Sequence, residues 1–353
     1  MTEPLNAERV LVRTEGALGH LTLNRPEAIN ALDHDMVVRL AAALEAWRHD
    51  TDVQIVLIDG AGERGMCAGG DVRALHSQIV SGHADETVRF FRAEYALNAL
   101  IAEYPKPVVT IADGVTMGGG IGLSGHAAIR IVTERSTLAM PETRIGFTPD
   151  VGGTWLLGRA PGRLGEYFAL TGSTMNGADA VELGFADHFV PSDRINALRE
   201  ALAYRADPTG PAEIVLLFDE TPEPSQLPAA RAWIDDAFSA PTIAEIVERL
   251  RASEASDAGA TADLLESLAP TGLAVTLDAV REAREMTGLR AALEGEYRRV
   301  LWFVNRHPDL VEGIRAQLVD KDRNPKWDPP TIADLVPDAG AEAREYVPEH
   351  PLF

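Results

Sequence analysis

The sequence DGVTMGGGIGLSG, residues 113–125, is dense in glycine and follows an apolar, β-prone run at residues 107–112. Glycine permits a tight turn and a close approach of the backbone to a ligand or to another backbone. Further apolar runs of strand length lie at residues 53–58 and 129–132, and segments with helical spacing separate them. This alternation predicts an α/β core of parallel or mixed strands with glycine-rich turns at the strand ends.

The N-terminal residues extend the predicted core. Two β-prone runs, at residues 9–13 and 20–24, flank a glycine-containing turn and predict a hairpin. A helix capped by Asp33 should follow. Its apolar residues recur at helical spacing and are Met36, Val37, Leu40, Ala43, Leu44 and Trp47.

The composition changes shortly after residue 206, where prolines punctuate an acidic stretch. We therefore predict two regions, residues 1–206 and residues 207–353, of which the second is mainly helical. Apolar residues recur at helical spacing within residues 243–250 and 293–301. The proline-rich segment from Asp328 onward is expected to be extended along the surface.

Composition and charge exclude several classes of protein. The chain has 353 residues, 46% of them hydrophobic, which suffices to bury a sizeable core. Its 32 Lys and Arg residues against 54 Asp and Glu residues give a net charge of −22, the wrong sign for a nucleic-acid-binding protein. A single cysteine, Cys67, excludes an internal disulfide and a multi-cysteine metal site. No run approaches the ~20 apolar residues of a membrane helix, so we expect a soluble, cytoplasmic protein without nucleic-acid or membrane partners.

One reading of the glycine-rich stretch is a dinucleotide site. Gly120, Gly122 and Gly125 match the G-x-G-x-x-G pattern, and Glu134 could imitate the acid that binds the ribose. In dinucleotide-binding folds, however, the first glycine comes directly off the strand. Here seven residues, 113–119, intervene, which disfavours a nicotinamide cofactor.

A second small-residue loop, at residues 64–71, leaves the strand predicted at residues 53–58. N–H groups at the ends of two neighbouring strands can converge on one oxygen and form an oxyanion hole. From the glycines alone, tight turns and close helix packing are the simpler explanation. The turn-rich segment 140–153 adds Glu142 and Asp150, which could act as base, acid or nucleophile in a dry pocket, or cap helices at the surface.

Four motifs in one order carry a more specific signal. They are NRP and NAL within residues 24–32, CAGGD at 67–71, DGVTMGGGIGLS at 113–124 and MPETRIGFTPDVGG at 140–153. Their order and spacing resemble the crotonase (enoyl-CoA hydratase/isomerase) superfamily. Within it the chain is most similar to the 3-hydroxyisobutyryl-CoA hydrolases, through the PDVGG ending, FFRAEYALN at 90–98 and EGIRAQLVDKDRNPKW at 312–327.

The resemblance, which spans about residues 10–327, implies a crotonase-like spiral of ββα units with a helical C-terminal region, often assembled as a homo-oligomer. It implies that the backbone N–H groups of Gly70 and Gly119 form an oxyanion hole for a thioester oxygen. Glu142 would be the reactive carboxylate, Asp150 a second acid, and Glu94 a residue of the acyl pocket. Without the resemblance, Glu94 would be read as an acid on a helix surface.

The chain departs from the hydratase pattern at two positions. Hydratases hold their water with two glutamates, and the first of these positions is Gly122 here. Hydratases also typically carry glycine where this chain has Asp150. The resemblance therefore implies hydrolysis of a short branched 3-hydroxyacyl-CoA, either 3-hydroxyisobutyryl-CoA or 3-hydroxypropionyl-CoA, as in valine catabolism. Glu142 would attack the carbonyl or activate water, and Asp150 would bind the 3-hydroxyl.

Two alternatives remain: an enoyl-CoA hydratase or isomerase, and a non-catalytic acyl-CoA-binding protein on the same scaffold. CoA would be part of the substrate, with no metal or organic cofactor, since the histidines show no metal-ligand pairing. Arg25, Arg73 and Lys326 are candidates for binding the CoA phosphates, although each is also typical of an ordinary surface cation. Cys67 lies beside a predicted oxyanion donor, but its small neighbours predict a packed thiol.

Overall fold

The computed structural model describes residues 8–204, 210–336 and 338–353. The strands in these ranges are β1 Val10–Glu15, β2 Leu18–Leu23, β3 Ile55–Gly60, β4 Val108–Ala112, β5 Val115–Met117, β6 Ile129–Val132, β7 Thr137–Ala139 and β8 His188–Phe189. The helices up to residue 204 are α1 His34–Trp47, α2 Val72–Val80, α3 Ala84–Ala102, α4 Gly119–Ser124, α5 Gly153–Arg159, α6 Leu164–Thr171, α7 Gly177–Glu182 and α8 Ile195–Tyr204. Those from residue 210 onward are α9 Pro211–Leu216, α10 Leu227–Phe238, α11 Ile243–Ala252, α12 Ala258–Ser267, α13 Pro270–Glu285, α14 Leu289–Arg306, α15 Asp309–Ile314 and α16 Ala339–Arg344, with a π-helical turn at Arg315–Val319.

The predicted α/β core is confirmed as two sheets. The larger sheet has the order β1-β2-β3-β4-β6-β8, in which β1 and β2 are antiparallel and every other pair is parallel. The smaller sheet pairs β5 with β7 in parallel. The opening hairpin turns at Gly16, whose φ of +59° is one that glycine adopts without strain.

The chain winds through the two sheets as a spiral. A strand of the larger sheet is twice followed by a strand of the smaller one, first β4 then β5, and afterwards β6 then β7. The preceding turn of the spiral also passes from the larger sheet to the smaller one. After β3 the chain reaches Cys67, which forms a parallel bridge with Thr116 of β5. The spiral of ββα units that the resemblance implied is thus present.

Both faces of the larger sheet are covered, as expected for parallel strands. In β3, Val56 and Ile58 face the same core as α1, whereas Ile55 and Leu57 face a second core with residues of α8 and α9. Helix α1 begins as predicted, since the Asp33 side chain accepts a hydrogen bond from the Met36 N–H. All six of its predicted apolar residues are buried.

The C-terminal helices pack directly on the spiral. Helix α14 lies against α3, α13 lies against α5, and residues of both regions share one hydrophobic core. The predicted boundary between residues 206 and 207 falls outside the described residues, so the division into two regions stays a prediction. The predicted helical character of this region is confirmed by α10 to α15.

The prediction of an extended C-terminal segment is wrong for part of its length. Residues Ala339–Arg344 form α16, which packs on α13, buries Ala343 and pairs Arg344 with Asp278. The proline count after Asp328 concealed this short helix, because its contacts are tertiary rather than local. Of the helices in the described ranges, none combines the length and the apolar character that crossing a membrane requires.

Candidate active site

Strand register places Gly70 and Gly119 side by side. Cys67 and Thr116 are bridged in parallel, and each of the two glycines lies three residues further along its chain segment. The two backbones approach so closely that a Cβ added to Gly119 would lie 3.4 Å from the Gly70 nitrogen. The glycine-rich loops therefore meet, as the oxyanion-hole hypothesis requires.

Both backbone N–H groups are available to a ligand. Gly119 is the first residue of α4, where an N–H has no acceptor within its own helix. Among the described residues, the Gly70 N–H has no hydrogen-bond acceptor either. Two unpaired donors on adjacent backbones can bind one oxygen that acquires negative charge.

The two glycines line a cavity of about 480 Å³. Glu94, Glu142 and Asp150 line the same cavity, so all five predicted site residues are brought together. The remaining wall is mostly apolar and comes in part from α12 and from the segment that follows α15, including Leu268 and Trp327. The C-terminal helices therefore complete the pocket that the spiral begins.

Glu142 is one of the acids that lie beside the paired glycines. It begins a 3-10 turn at Glu142–Ile145, directly after Pro141. Its carboxylate lies against Gly118, where an added Cβ would be 3.0 Å from Oε1. Only 7% of Glu142 is exposed, and its Oε2 has no hydrogen-bond partner among the described residues. Burial, with the nearby Asp150 charge, raises the pKa of Glu142 well above that of a free glutamate.

Asp150 is held by a tyrosine. The Tyr95 hydroxyl, on α3, donates a hydrogen bond of 2.6 Å to Asp150 Oδ2. Burial raises the pKa of Asp150 to about 7, and the Tyr95 hydrogen bond opposes that shift. Asp150 can therefore gain or lose a proton near neutral pH.

Glu94 is not the surface acid that its helical spacing alone suggested. It is 2% exposed, and its Oε1 has no hydrogen-bond partner among the described residues. A Cβ on Gly119 would lie 2.4 Å from that oxygen, so Glu94 closes the cavity beside the two paired glycines. Burial, together with the charge of Asp150, raises the pKa of Glu94 well above its usual value.

Within the described ranges, no cation forms an ion pair with Glu94, Glu142 or Asp150. The cationic residues that line the cavity are Arg144 and Arg323, and neither forms an ion pair with Glu94, Glu142 or Asp150. Three carboxyl groups in a dry pocket cannot all ionise freely, because each charge disfavours the next. Such an arrangement supports proton transfer or nucleophilic attack more readily than simple charge pairing.

Gly122 cannot be replaced by an acid without rearrangement. A Cβ added there would lie 2.7 Å from Val151 Cβ and 2.8 Å from Asn98 Nδ2. These are contacts that real Cβ atoms do not make. The position that carries the first glutamate in the hydratase pattern is therefore filled by two neighbouring side chains.

The candidates for binding the CoA phosphates do not line the cavity. Arg25 Nη1 lies 2.8 Å from Asp71 Oδ2 and is engaged in that ion pair. Arg73 lies along a shallow surface groove and Lys326 is exposed. Arg323, which lies within the C-terminal motif at residues 312–327, does line the cavity and is exposed, although it was not among the predicted phosphate-binding residues.

Neither Cys67 nor Glu134 lines the cavity. Cys67 is fully buried, and burial raises the pKa of its thiol to about 12, which confirms the prediction of a packed thiol. Glu134 accepts a hydrogen bond from the Ser192 N–H at 3.0 Å and lies outside the cavity, contrary to the dinucleotide reading.

Sequence reasoning missed three buried polar residues that contact the site. Tyr95 adjoins Glu94 in the sequence, but no local pattern relates it to Asp150. Asn98, one turn beyond Glu94, has neither amide atom hydrogen-bonded among the described residues. Glu296 of α14 binds the backbone just after Asp150. The signal for Glu296 was an acid at an otherwise apolar helix position, between Leu293 and Tyr297.

Comparison with known proteins agrees with this geometry. The family model described as enoyl-CoA hydratase/isomerase matches residues 18–343. The 3-hydroxyisobutyryl-CoA hydrolase of Danio rerio is 41% identical over 92% of this chain and 86% of its own length.

Two solved structures are also similar over nearly all of both chains. A carnitinyl-CoA dehydratase from Mycobacterium thermoresistibile is 47% identical, with a TM-score of 0.92 over 98% of this chain and 99% of that one. An enoyl-CoA hydratase from Rhodobacter sphaeroides is 40% identical, with a TM-score of 0.89 over 96% and 97%. The fold is therefore shared among proteins with different names.

The relatives correct one prediction. The Danio rerio protein is named mitochondrial, as are the proteins of the same name from Mus musculus and Homo sapiens. The expectation of a cytoplasmic protein is therefore wrong, because the absence of a long apolar run does not distinguish one compartment of the cell from another. The matched family model and the relatives show that this chain belongs to the enoyl-CoA hydratase/isomerase family.

Proposed function

We propose that this protein hydrolyses the thioester of a short branched 3-hydroxyacyl-CoA, with 3-hydroxyisobutyryl-CoA as its preferred substrate. The observation that carries the proposal is the filled space at Gly122 combined with the buried Asp150. One of the two water-holding acids of a hydratase is absent, and a carboxyl group has been added where hydratases typically have glycine. The name of the Danio rerio relative supports the same reaction.

The oxyanion hole supports the first step. The thioester oxygen would accept hydrogen bonds from the N–H groups of Gly70 and Gly119 as the carbonyl carbon becomes tetrahedral. A preorganised donor of this kind stabilises a transition state by ~3 kcal/mol. The two N–H groups have no competing acceptor among the described residues, so binding the oxyanion breaks no existing hydrogen bond.

Glu142 supports the bond-forming step. Its ionised carboxylate would attack the thioester carbon, forming a mixed anhydride and releasing CoA as the thiolate. Water would then attack the anhydride, freeing the hydroxy acid and restoring Glu142. The water supplies one proton, which ends on the CoA thiol, so that thioester and water give acid and thiol. Direct activation of water by Glu142 gives the same products and uses the same residue.

Asp150 supports selection of the substrate. A carboxylate held by the Tyr95 hydroxyl retains oxygen lone pairs that can accept a hydrogen bond from the 3-hydroxyl. Its pKa of about 7 also suits the transfer of a proton to the departing thiolate. Glu94 would complete the acyl pocket beside Gly119. Neither step calls on a metal or an organic cofactor.

The place of the reaction in metabolism and the assembly of the protein are parts of the same proposal. The hydroxy acid product fits valine degradation, as the names of the relatives suggest. CoA would enter across the C-terminal wall of the cavity, where Arg323 is exposed. A homo-oligomer remains the expected assembly for this family.

The second candidate is hydration or isomerisation of an enoyl-CoA, which the names of the two structurally similar proteins favour. A single experiment separates the candidates. Purified protein is given 3-hydroxyisobutyryl-CoA with a thiol reagent, and crotonyl-CoA with detection of double-bond loss. We expect thiol release and little hydration. Hydration without thiol release would overturn the proposal, and binding of both thioesters without reaction would indicate a non-catalytic protein.

A further inference from the structure

The residue after Asp150 has a strained backbone. Val151 has a φ of +52°, a left-handed conformation that a β-branched residue rarely adopts, and Gly152 follows with a φ of +77°. Conformations of this kind are unfavourable for an L-residue and persist only where the surroundings enforce them. The strain lies in the segment that orients Asp150 towards the cavity.

The partly buried His126 and the buried Glu296 hold the peptide bond between Val151 and Gly152 from its two ends. His126 Nε2 lies 2.8 Å from the Val151 carbonyl oxygen. Glu296 Oε2 accepts a hydrogen bond of 2.6 Å from the Gly152 N–H. One peptide unit is thus fixed through both of its polar groups.

The two contacts have defined chemical roles. A carbonyl oxygen only accepts, so His126 Nε2 must carry the hydrogen that it donates. Burial lowers the pKa of His126 to about 4, which keeps the ring neutral near pH 7. Glu296 also accepts from the Thr154 N–H at 2.9 Å and from the Thr154 hydroxyl at 2.5 Å. Three donors converge on one carboxyl group, which an amide could satisfy only in part.

His126 and Glu296, together called the clamp, come from distant parts of the chain and are closely packed around the peptide that they hold. His126 follows α4, whereas Glu296 comes from α14 of the C-terminal region. A Cβ on Gly152 would lie 2.3 Å from His126 Nε2, so the ring fits against a glycine. On the other side, the Val151 side chain fills the space above Gly122. Rotation of this peptide would move both Val151 and Asp150.

We propose that His126 and Glu296 are positioning residues that clamp the strained peptide after Asp150 and thereby fix the Asp150 carboxylate for recognition of the 3-hydroxyl. The inference rests on the proposed function. Neither residue lines the cavity, so each acts through Asp150 rather than on the substrate. Loss of the clamp should loosen Asp150 while the oxyanion donors and Glu142 stay in place.

The test compares kcat/KM for 3-hydroxyisobutyryl-CoA and isobutyryl-CoA. His126→Ala removes the donor and should lower the preference for the hydroxylated thioester by about tenfold, since small misplacements cost that much or more. His126→Gln can place an amide N–H where Nε2 was and should recover most of the preference. Glu296→Gln, which keeps the side-chain shape, should lower the preference as well.

A double-mutant cycle separates positioning from general stability. In an Asp150→Asn background, His126→Ala and Glu296→Gln should change the preference by less than about twofold, because the group they position is already altered. Glu166→Gln is the matched control, since Glu166 is a fully buried acid outside the cavity. It should lower the melting temperature without changing the preference.

The outcomes decide the inference. An unchanged preference in both clamp variants, or equal losses in the wild-type and Asp150→Asn backgrounds, would overturn it. If His126→Ala does not fold, Glu296→Gln alone is decisive: a lowered preference supports the inference and an unchanged preference overturns it. A wild-type protein that releases no thiol would instead refute the proposed function, so the two failures are distinguishable.

Discussion

Two of the regions that bury acids in this molecule, the cavity and the surroundings of Glu166, differ in the cations that they supply. Glu166, on α6, is fully buried and accepts hydrogen bonds from Arg163 at 2.8 Å and Arg284 at 2.6 Å. Glu94 and Glu142 are almost equally buried in the cavity, and in the part of the chain that the structure describes no arginine, lysine or histidine pairs with either. Burial alone therefore does not predict whether an acid is neutralised.

The difference shows which acids serve the fold and which serve chemistry. A buried carboxylate is tolerated when paired and hydrogen-bonded, as Glu166 is. An unpaired one is unfavourable for stability, and the protein holds three of them around the paired glycines of the cavity. Cations there would lower the pKa of each acid and weaken a nucleophile. Under the proposed function, the cavity acids are kept unpaired for reactivity at the expense of stability.

The largest expected effect is the loss of Glu142. Glu142→Gln keeps the size of the side chain but removes the attacking carboxylate, and should lower kcat for thioester hydrolysis by roughly 10³-fold or more. CoA binding, measured by calorimetry, should be retained because the rest of the cavity is unchanged. Normal turnover by this variant would remove Glu142 from its assigned role.

Asp150 should show a smaller, selective effect. A charge-assisted hydrogen bond to the 3-hydroxyl is worth ~1.5–3 kcal/mol, or roughly a 10- to 150-fold preference. Wild type should prefer 3-hydroxyisobutyryl-CoA over isobutyryl-CoA by that order, and Asp150→Gly should lose most of the preference. The variant should not become a hydratase, because Gly122 remains without space for an acid. Equal rates on wild type would contradict the role of Asp150.

The pH dependence should reveal the unpaired acids. Glu142 must be ionised to attack, and burial raises its pKa, so kcat/KM should fall with decreasing pH well above the ~4.3 of a free glutamate. This fall in kcat/KM on the acidic side of the pH profile reports the coupled titration of the cavity acids rather than the titration of one residue. Glu94→Gln removes a charge of the same sign as that of Glu142, so kcat/KM should begin to fall at a lower pH than in wild type. A rate that stays constant down to pH 5 would count against the arrangement.

The smallest effect on catalysis is expected at the paired acid. Glu166→Gln leaves two arginines without their carboxylate and should lower the free energy of unfolding by about 1–3 kcal/mol. Hydrolysis at 25 °C should be unchanged, because Glu166 does not line the cavity. Urea unfolding and thiol release on the same preparation measure both quantities. A large loss of kcat in this variant would contradict a purely structural role for Glu166.

Local patterns in the sequence predicted the elements, but not their mutual packing. The cap at Asp33 and the apolar face of α1 follow from short-range rules, and both are present. The meeting of Gly70 with Gly119 depends on the bridge between distant segments, so only the family resemblance anticipated it. Periodicity likewise left Glu94 on a surface, because it cannot tell which face α14 will cover.

Two of the missed residues contact the site across a long sequence separation. Tyr95 reaches Asp150 over 55 residues, and Glu296 reaches Gly152 over 144. No spacing rule relates such pairs. The helix α16 was missed for the same reason, since α13 stabilises it and its own six residues are too few to be helical alone.

The most direct test of the central claim measures thermal unfolding and thiol release together for wild type and Glu142→Gln. If the cavity acids are kept unpaired for reactivity, the variant should release almost no thiol from 3-hydroxyisobutyryl-CoA. Its melting temperature at pH 8 should be no lower than that of wild type, because an unfavourably buried charge has been removed. A variant that keeps its activity, or that melts at a clearly lower temperature as a paired acid would, contradicts the account.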